Sequence, residues 1–69
     1  MRLHQLRTER NITLKTLAEH LGVTVRTITN YENGSREPNI ATIIAIADYF
    51  GVTTDYLLGR TENSDPHKK

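Results

Sequence analysis

Apolar residues along the chain recur with the spacing of helices. Between Leu14 and Leu21 they fall at Leu14, Leu17, Ala18 and Leu21, the i, i+3, i+4, i+7 pattern of one buried helical face. Gly22 follows, where a helix ending in the left-handed conformation favours glycine, and Val23 pins the turn. Thr24 offers an N-cap oxygen to a next helix, whose apolar face continues through Ile28 and Tyr31. Upstream, Leu3 and Leu6 are the inward residues of a helix predicted over Arg2 to Arg10. Asn11 takes the turn, since asparagine tolerates the left-handed conformation; Ile12 tucks the connection inward and Thr13 caps the helix that opens at Leu14. Downstream, Asn33-Gly34 stops the third helix and Pro38 prevents its continuation. Asn39 caps a fourth helix over Ile40 to Phe50, and Gly51, Val52 and Thr53 lead into a short fifth over Thr54 to Leu58, closed by Gly59. Only Thr42 and Asp48 interrupt the apolar residues of the fourth helix, so it is predicted to lie in the middle of a bundle. From Arg60 onward the chain holds no apolar residue and reads as a solvated tail.

The stretch from Leu14 to Asn33 is thus two short helices joined by one tight turn, with Ala18 small where they would cross. That is the composition of a helix-turn-helix, whose second helix can enter the major groove of DNA. The predicted fold class is all-α: one compact five-helix bundle over residues 1–59, with a polar tail over 60–69.

Composition narrows the setting. Sixty-nine residues allow one domain with a thin core. There is no cysteine, so neither a disulfide framework nor a thiolate metal site supplements that core. No signal peptide opens the chain and no apolar run approaches the ~20 residues of a membrane span. A soluble, cytoplasmic protein is expected. The net charge is only +1, but its distribution is uneven. Residues 1–36 carry six basic against three acidic side chains, whereas 37–59 carry Glu37, Asp48 and Asp55 with no Lys or Arg. The positive end coincides with the helix-turn-helix, as a DNA-facing surface requires.

The order Leu17-Ala18, Gly22-Val23-Thr24, Ile28-Thr29, Tyr31-Glu32-Asn33-Gly34 and Pro38 resembles the phage-repressor (Cro/C1-type, XRE) helix-turn-helix domain, a lambda-repressor-like fold. Ile43 to Gly59 looks like the last two helices of the same family, so the resemblance covers residues 2 to 60. It implies an ion pair between Arg7 on the first helix and Glu32 at the end of the third. It also implies a homodimer on DNA whose axis lies near Val52 to Arg60, where Tyr56, Leu57 and Leu58 are the candidate contacts. Departures from the family pattern stand at Asn11, where glycine is frequent, and at Leu14 and Val25, where glutamine is frequent. The base preference of better-known relatives therefore does not transfer.

Base-reading candidates are Thr24, Val25, Arg26, Thr27, Thr29 and Asn30, the residues that the apolar face of the third helix leaves free. Arg can grip guanine O6 and N7, Asn can grip adenine N6 and N7, and Thr or Val methyls can meet a thymine methyl. Phosphate-holding candidates are Thr13 and Lys15 at the start of the second helix, and Asn33, Ser35, Arg36 and Asn39 around the loop into the fourth. Helix N-termini favour anions through free N–H groups and the helix dipole. Catalysis is not expected: the serines, Ser35 and Ser64, fall in loop and tail, and His4, His20 and His67 lack metal-ligand spacing. No cofactor, metal, membrane or small-molecule effector is implied. The expected function is a transcription regulator of double-stranded DNA, most simply a phage- or mobile-element-type repressor acting on a palindromic operator. Two alternatives are an interaction module such as an antitoxin, against which the apolar-free tail argues, and the DNA-binding part of a longer regulator, against which the start at Met1 and the polar end argue.

Overall fold

In the computed structural model, which describes residues 1–62, five α-helices follow one another: α1 Leu3–Glu9, α2 Leu14–Leu21, α3 Val25–Asn33, α4 Ile40–Phe50 and α5 Thr54–Leu58. No strand occurs among the described residues, and the five-helix, all-α expectation holds. Four of the helices open alike. Thr13, Thr24, Asn39 and Thr53 hold extended backbone before α2 to α5, and their side-chain oxygens accept the N–H of Thr16, Thr27, Thr42 and Tyr56. Each such cap is worth ~1 kcal/mol.

The two tight turns of the first half are the same motif with different residues. After α2, Gly22 sits at φ 72° and the Val23 N–H reaches back to the Ala18 carbonyl at 3.0 Å. After α1, Asn11 sits at φ 55° and the Ile12 N–H reaches the Arg7 carbonyl at 3.0 Å. Asn11 is the one non-glycine residue in the left-handed region among those described.

The core takes one completely buried side chain from every helix: Leu3, Leu17, Ile28, Ile46 and Leu57. Leu6, Ala18, Tyr31, Ala47, Phe50 and Val52 complete it. The most extensive helix contact is α2 on α3, and Ala18 of α2 is buried in the core.

Three expectations need correction. First, α1 is one residue shorter at each end than Arg2 to Arg10, because both arginines serve as end pieces. The Arg2 Nε donates to the Tyr56 carbonyl at 2.8 Å, and its guanidinium lies 4.5 Å from the centre of the Tyr56 ring. Arg10 Nη1 donates to the Phe50 carbonyl at 2.9 Å. The two thereby cover the C-terminal carbonyls, the negative ends, of α5 and α4. Second, α4 is not enclosed: Ile40 is 76 % and Ile44 47 % exposed, while Ile46, Ala47 and Phe50 face inward. Third, Leu57 is wholly buried and offers no surface to a partner, which removes it from the expected dimer contacts.

Of the expected tail, Arg60 to Glu62 fold back: the Arg60 N–H bonds the Asp55 carbonyl at 2.8 Å, and Glu62 pairs with Arg2 at 3.0 Å. The rest, 63–69, with Ser64, His67, Lys68 and Lys69, lies outside the described residues.

Asn11→Ala should destabilise the domain by ~1 kcal/mol, because alanine keeps the Cβ crowding of the left-handed region but lacks the short polar side chain with which asparagine offsets it. Asn11→Gly should be neutral or stabilising by a few tenths of a kcal/mol, since glycine is unstrained there at about the entropic cost of its freedom. Urea unfolding midpoints of the two variants check this.

Candidate nucleic-acid interface

Ile28 and Tyr31 turn one face of α3 into the core and leave the opposite face outward. On it stand Val25, 42 % exposed, with Arg26 and Thr29; Thr27 and Asn30 are half-buried at its edges. The side chains are not all free to meet a ligand. Thr24 Oγ1 accepts the Thr27 N–H at 3.2 Å and lies 3.0 Å from the Thr27 hydroxyl, so this pair is occupied in starting the helix. The Thr29 hydroxyl donates to the Val25 carbonyl at 3.1 Å. Arg26 makes no ion pair among the described residues.

The phosphate-holding candidates are divided in the same way. Thr13 repeats the Thr24 arrangement at the start of α2: it accepts the Thr16 N–H at 3.0 Å and its hydroxyl meets that of Thr16 at 2.9 Å. The Asn33 side-chain oxygen accepts the Ser35 N–H at 2.8 Å, and that of Asn39 accepts the Thr42 N–H at 2.8 Å. Both asparagines keep their NH2 donors for outside use. Lys15 and Arg36 are exposed and, among the described residues, unpaired. The first turns of α2, α3 and α4 contain no acidic residue, whereas α5 has Asp55 in its first turn. A carboxylate there would stabilise the helix but repel an anion at its end.

Behind the helix, the structure brings Arg7 and Glu32 together. Arg7 Nε donates to Glu32 Oε2 at 2.6 Å and Nη2 to Oε1 at 3.2 Å, the two-pronged geometry that arginine and carboxylate favour. The side chains retain only 13 % and 10 % exposure. Arg7 Nη1 also donates to the Ile12 carbonyl at 3.0 Å. His4, set aside above only for lacking metal-ligand spacing, joins the pair. Its Nδ1 lies 2.9 Å from Glu32 Oε1, and because an ionised carboxylate only accepts, Nδ1 carries the proton and donates. The signal was present in the sequence: His4 and Arg7 are three apart on a helix and share a face. Burial alone would raise the Glu32 carboxyl, but hydrogen bonds from Arg7 and His4, with their charges, overcome it and hold Glu32 below the usual carboxylate range.

Of the expected dimer contacts, Leu58 is 40 % exposed, and Tyr56 is half-buried beneath Arg2. Leu58 lines a shallow cleft with Met1, Pro38 and Ile43. Ile40 and Ile44, one turn apart on the helix that packs against α5, add exposed apolar surface that the sequence reading missed. Among the described residues no helix is long and apolar enough to cross a membrane, and no group of His, Cys, Asp and Glu is placed to hold a metal.

A family profile described as helix-turn-helix matches residues 3–57. The chain is 41 % identical over 59 residues to the HTH-type transcriptional regulator AnsR of Bacillus subtilis, covering 86 % of this chain and 51 % of that protein. It is 36 % identical to the HTH-type transcriptional regulator ImmR of the same organism, covering 91 % of this chain and 50 % of that one. It is 41 % identical to the HTH-type transcriptional activator BcrR of Enterococcus faecalis, covering 88 % and 30 %. The chain thus spans about half the length, or less, of these curated relatives. All three are named as regulators and not as enzymes, in line with the expectation that this chain is no enzyme. No solved structure matches it significantly.

Arg7→Ala or Glu32→Ala should each cost about 2–3 kcal/mol, between the ~1 of an exposed pair and the ~3–5 of a fully buried one that loses a member. The Arg7→Met, Glu32→Leu double variant should cost much less, because no charge is stranded. Acid should act through the same contact. Because the Glu32 pKa is lower folded than unfolded, its contribution is complete above the unfolded value of ~4.3 and is lost as pH falls through the folded value. Thermal melts from pH 7 to pH 2 should show Glu32→Gln losing stability less steeply below about pH 4 than wild type.

Proposed function

The chain belongs to the helix-turn-helix family of the Cro/C1 type, and on that footing we propose that it is a sequence-specific regulator of transcription that binds double-stranded DNA with α3 in the major groove. The observation that carries this reading is the outward face of α3. Val25, Arg26 and Thr29 stand exposed on it with Asn30 beside them, and none belongs to the core. In this reading Arg26 and Asn30 reach base edges, guanine and adenine being their natural bidentate partners, and Thr24 and Thr27 stay close to the backbone as caps. Lys15, Arg36 and Ser35, with the amide groups of Asn33 and Asn39 and the N–H groups that Thr13 leaves at the head of α2, hold phosphates. These contacts fix register without reading sequence.

The simplest regulatory role is repression from a palindromic operator by a two-fold dimer. A single module buries only ~600–1,000 Å² of its surface on DNA, and two half-sites ~34 Å apart multiply the discrimination. The surface that supports such a contact is Leu58 with Ile40, Ile44 and Met1, the largest exposed apolar side chains besides Val25. So few exposed apolar side chains fit a dimer assembled on DNA better than a stable free one.

A mobility-shift titration against the DNA flanking the chain's own gene, at two salt concentrations, tests the reading: a specific complex with steep salt dependence is expected. Arg26→Ala or Asn30→Ala should weaken that complex by ~1–3 kcal/mol and relax preference at one base pair. Lys15→Ala or Arg36→Ala should weaken all sequences alike and lower the salt slope by about one. Equal loss on specific and random DNA would move Arg26 to the phosphates. For the dimer, Leu58→Asp and Ile44→Asp should keep the helical circular-dichroism signal and half-site affinity yet lose the advantage of the palindrome, whereas Leu57→Asp should unfold the domain. If both surface variants bound the palindrome as tightly as wild type, the axis would have to lie elsewhere.

A further inference from the structure

We propose that α3 reads the C5 methyl group of thymine through Val25 and Thr29, so that the preferred duplex carries a thymine at one fixed step of each half-site. This rests on the DNA-binding reading and makes its chemistry specific.

Val25 and Thr29 stand four residues apart on α3, one turn above one another on the same exposed face. Threonine there could in principle donate a hydrogen bond to a base. Its hydroxyl proton is already committed to the Val25 carbonyl at 3.1 Å, which turns the oxygen back onto the helix and leaves the γ-methyl as the outward group. Val25 has no polar group, belongs to no cluster of the core, and is 42 % exposed at the first position of the helix. As a β-branched residue it adds little to helix stability at such a site. The pair thus forms an apolar ridge of methyl groups facing outward.

Thr27 does not extend the ridge. It is half-buried, and its hydroxyl meets that of Thr24 at 3.0 Å. The hydrogen-bonding side chains occupy a separate row: Arg26 and Asn30 are also four apart, one position further along each turn. α3 therefore offers the major groove one apolar row beside one polar row.

Of the four base edges in that groove, thymine alone presents an apolar group, the C5 methyl. Against the groove edges of guanine, adenine or cytosine, the ridge would strip water from donors and acceptors and give no partner in return. Its preference for thymine is therefore both an attraction and a penalty on the other bases.

The test uses the full chain and a duplex enriched by it from a random-sequence pool. Each thymine of that duplex is replaced in turn by deoxyuridine, which lacks only the methyl. At one position per half-site the substitution should lower affinity about fourfold, the loss expected for one buried methyl. Thr29→Ser, which keeps the hydroxyl and removes the methyl, should bind the thymine duplex about as weakly and no longer respond to deoxyuridine; Val25→Ala should behave likewise. Thr29→Val, which keeps the shape and removes the hydroxyl, should bind like wild type. If a specific duplex is enriched but no deoxyuridine position matters, the methyl reading is overturned while the DNA-binding reading stands. The same holds if Thr29→Val weakens binding while Thr29→Ser binds like wild type, since the hydroxyl would then be the reading group. If the pool yields no enriched sequence, both readings fall.

Discussion

The contact on which the arrangement depends is the pair between Arg7 and Glu32. Glu32 is the penultimate residue of α3, near the negative end of the helix dipole, and the last turn of α3 holds no basic side chain of its own. A carboxylate in that place is unfavourable unless a cation is supplied from outside the helix. Arg7 supplies it from α1 at 2.6 Å, and with its remaining nitrogen holds the Ile12 carbonyl at 3.0 Å. One guanidinium thus ties together α1, the turn into α2 and the far end of α3. The near end of α3, which carries the proposed base-reading residues, is started by the Thr24 cap, and α3 also packs on α2. Held at both ends, the helix can leave a whole face to solvent and still keep its orientation.

The same economy governs the other basic residues. The positive first half of the chain looks like one electrostatic surface when charges are merely counted, but the structure divides it. Arg2 and Arg10 flank α1 and cover the carbonyl ends of α5 and α4, and Arg7 serves Glu32. Only Lys15, Arg26 and Arg36 of the six are left outward without a partner among the described residues. A net charge of +1 is therefore compatible with the proposed phosphate-facing surface, because what matters is where unpaired cations stand.

What was legible in the sequence, and what was not, follows from how local the signals are. The bounds of α2 to α5 could be read because each cap is a side chain meeting a backbone group three residues away, and Leu17, Ala18, Ile28 and Tyr31 could be placed in the core by periodicity. Periodicity could not decide among Tyr56, Leu57 and Leu58, since a five-residue helix is too short to display a face. It placed α4 wrongly for another reason. An almost wholly apolar helix reads as enclosed, yet so small a domain has too few other elements to cover every side, so Ile40 and Ile44 stay exposed. The third member of the Arg7–Glu32 contact, His4, shares a helix face with Arg7, so the spacing offered it as a candidate, while its reach to Glu32 across helices is a matter of side-chain geometry that only the structure displays.

The helix starts show how local stability gives way to a surface's task. The strongest local arrangement at a helix start pairs a Ser or Thr cap with Glu or Gln at the third position. Here α2 and α3 instead pair Thr13 with Thr16 and Thr24 with Thr27, hydroxyl to hydroxyl. A glutamate in place of Thr16 or Thr27 would add ~0.3–1 kcal/mol through the dipole. It would also put a negative charge beside the backbone N–H groups and Lys15 or Arg26. The α5 start accepts Asp55 in its first turn, so nothing in this chain forbids acids at helix starts as such. Their absence from α2 and α4 matches the helix starts at which the proposed phosphates would be held; α1, and α3 with its proposed base-reading residues, have none in their first turns either. The neutral threonine pairs therefore keep the cap and forgo the charge.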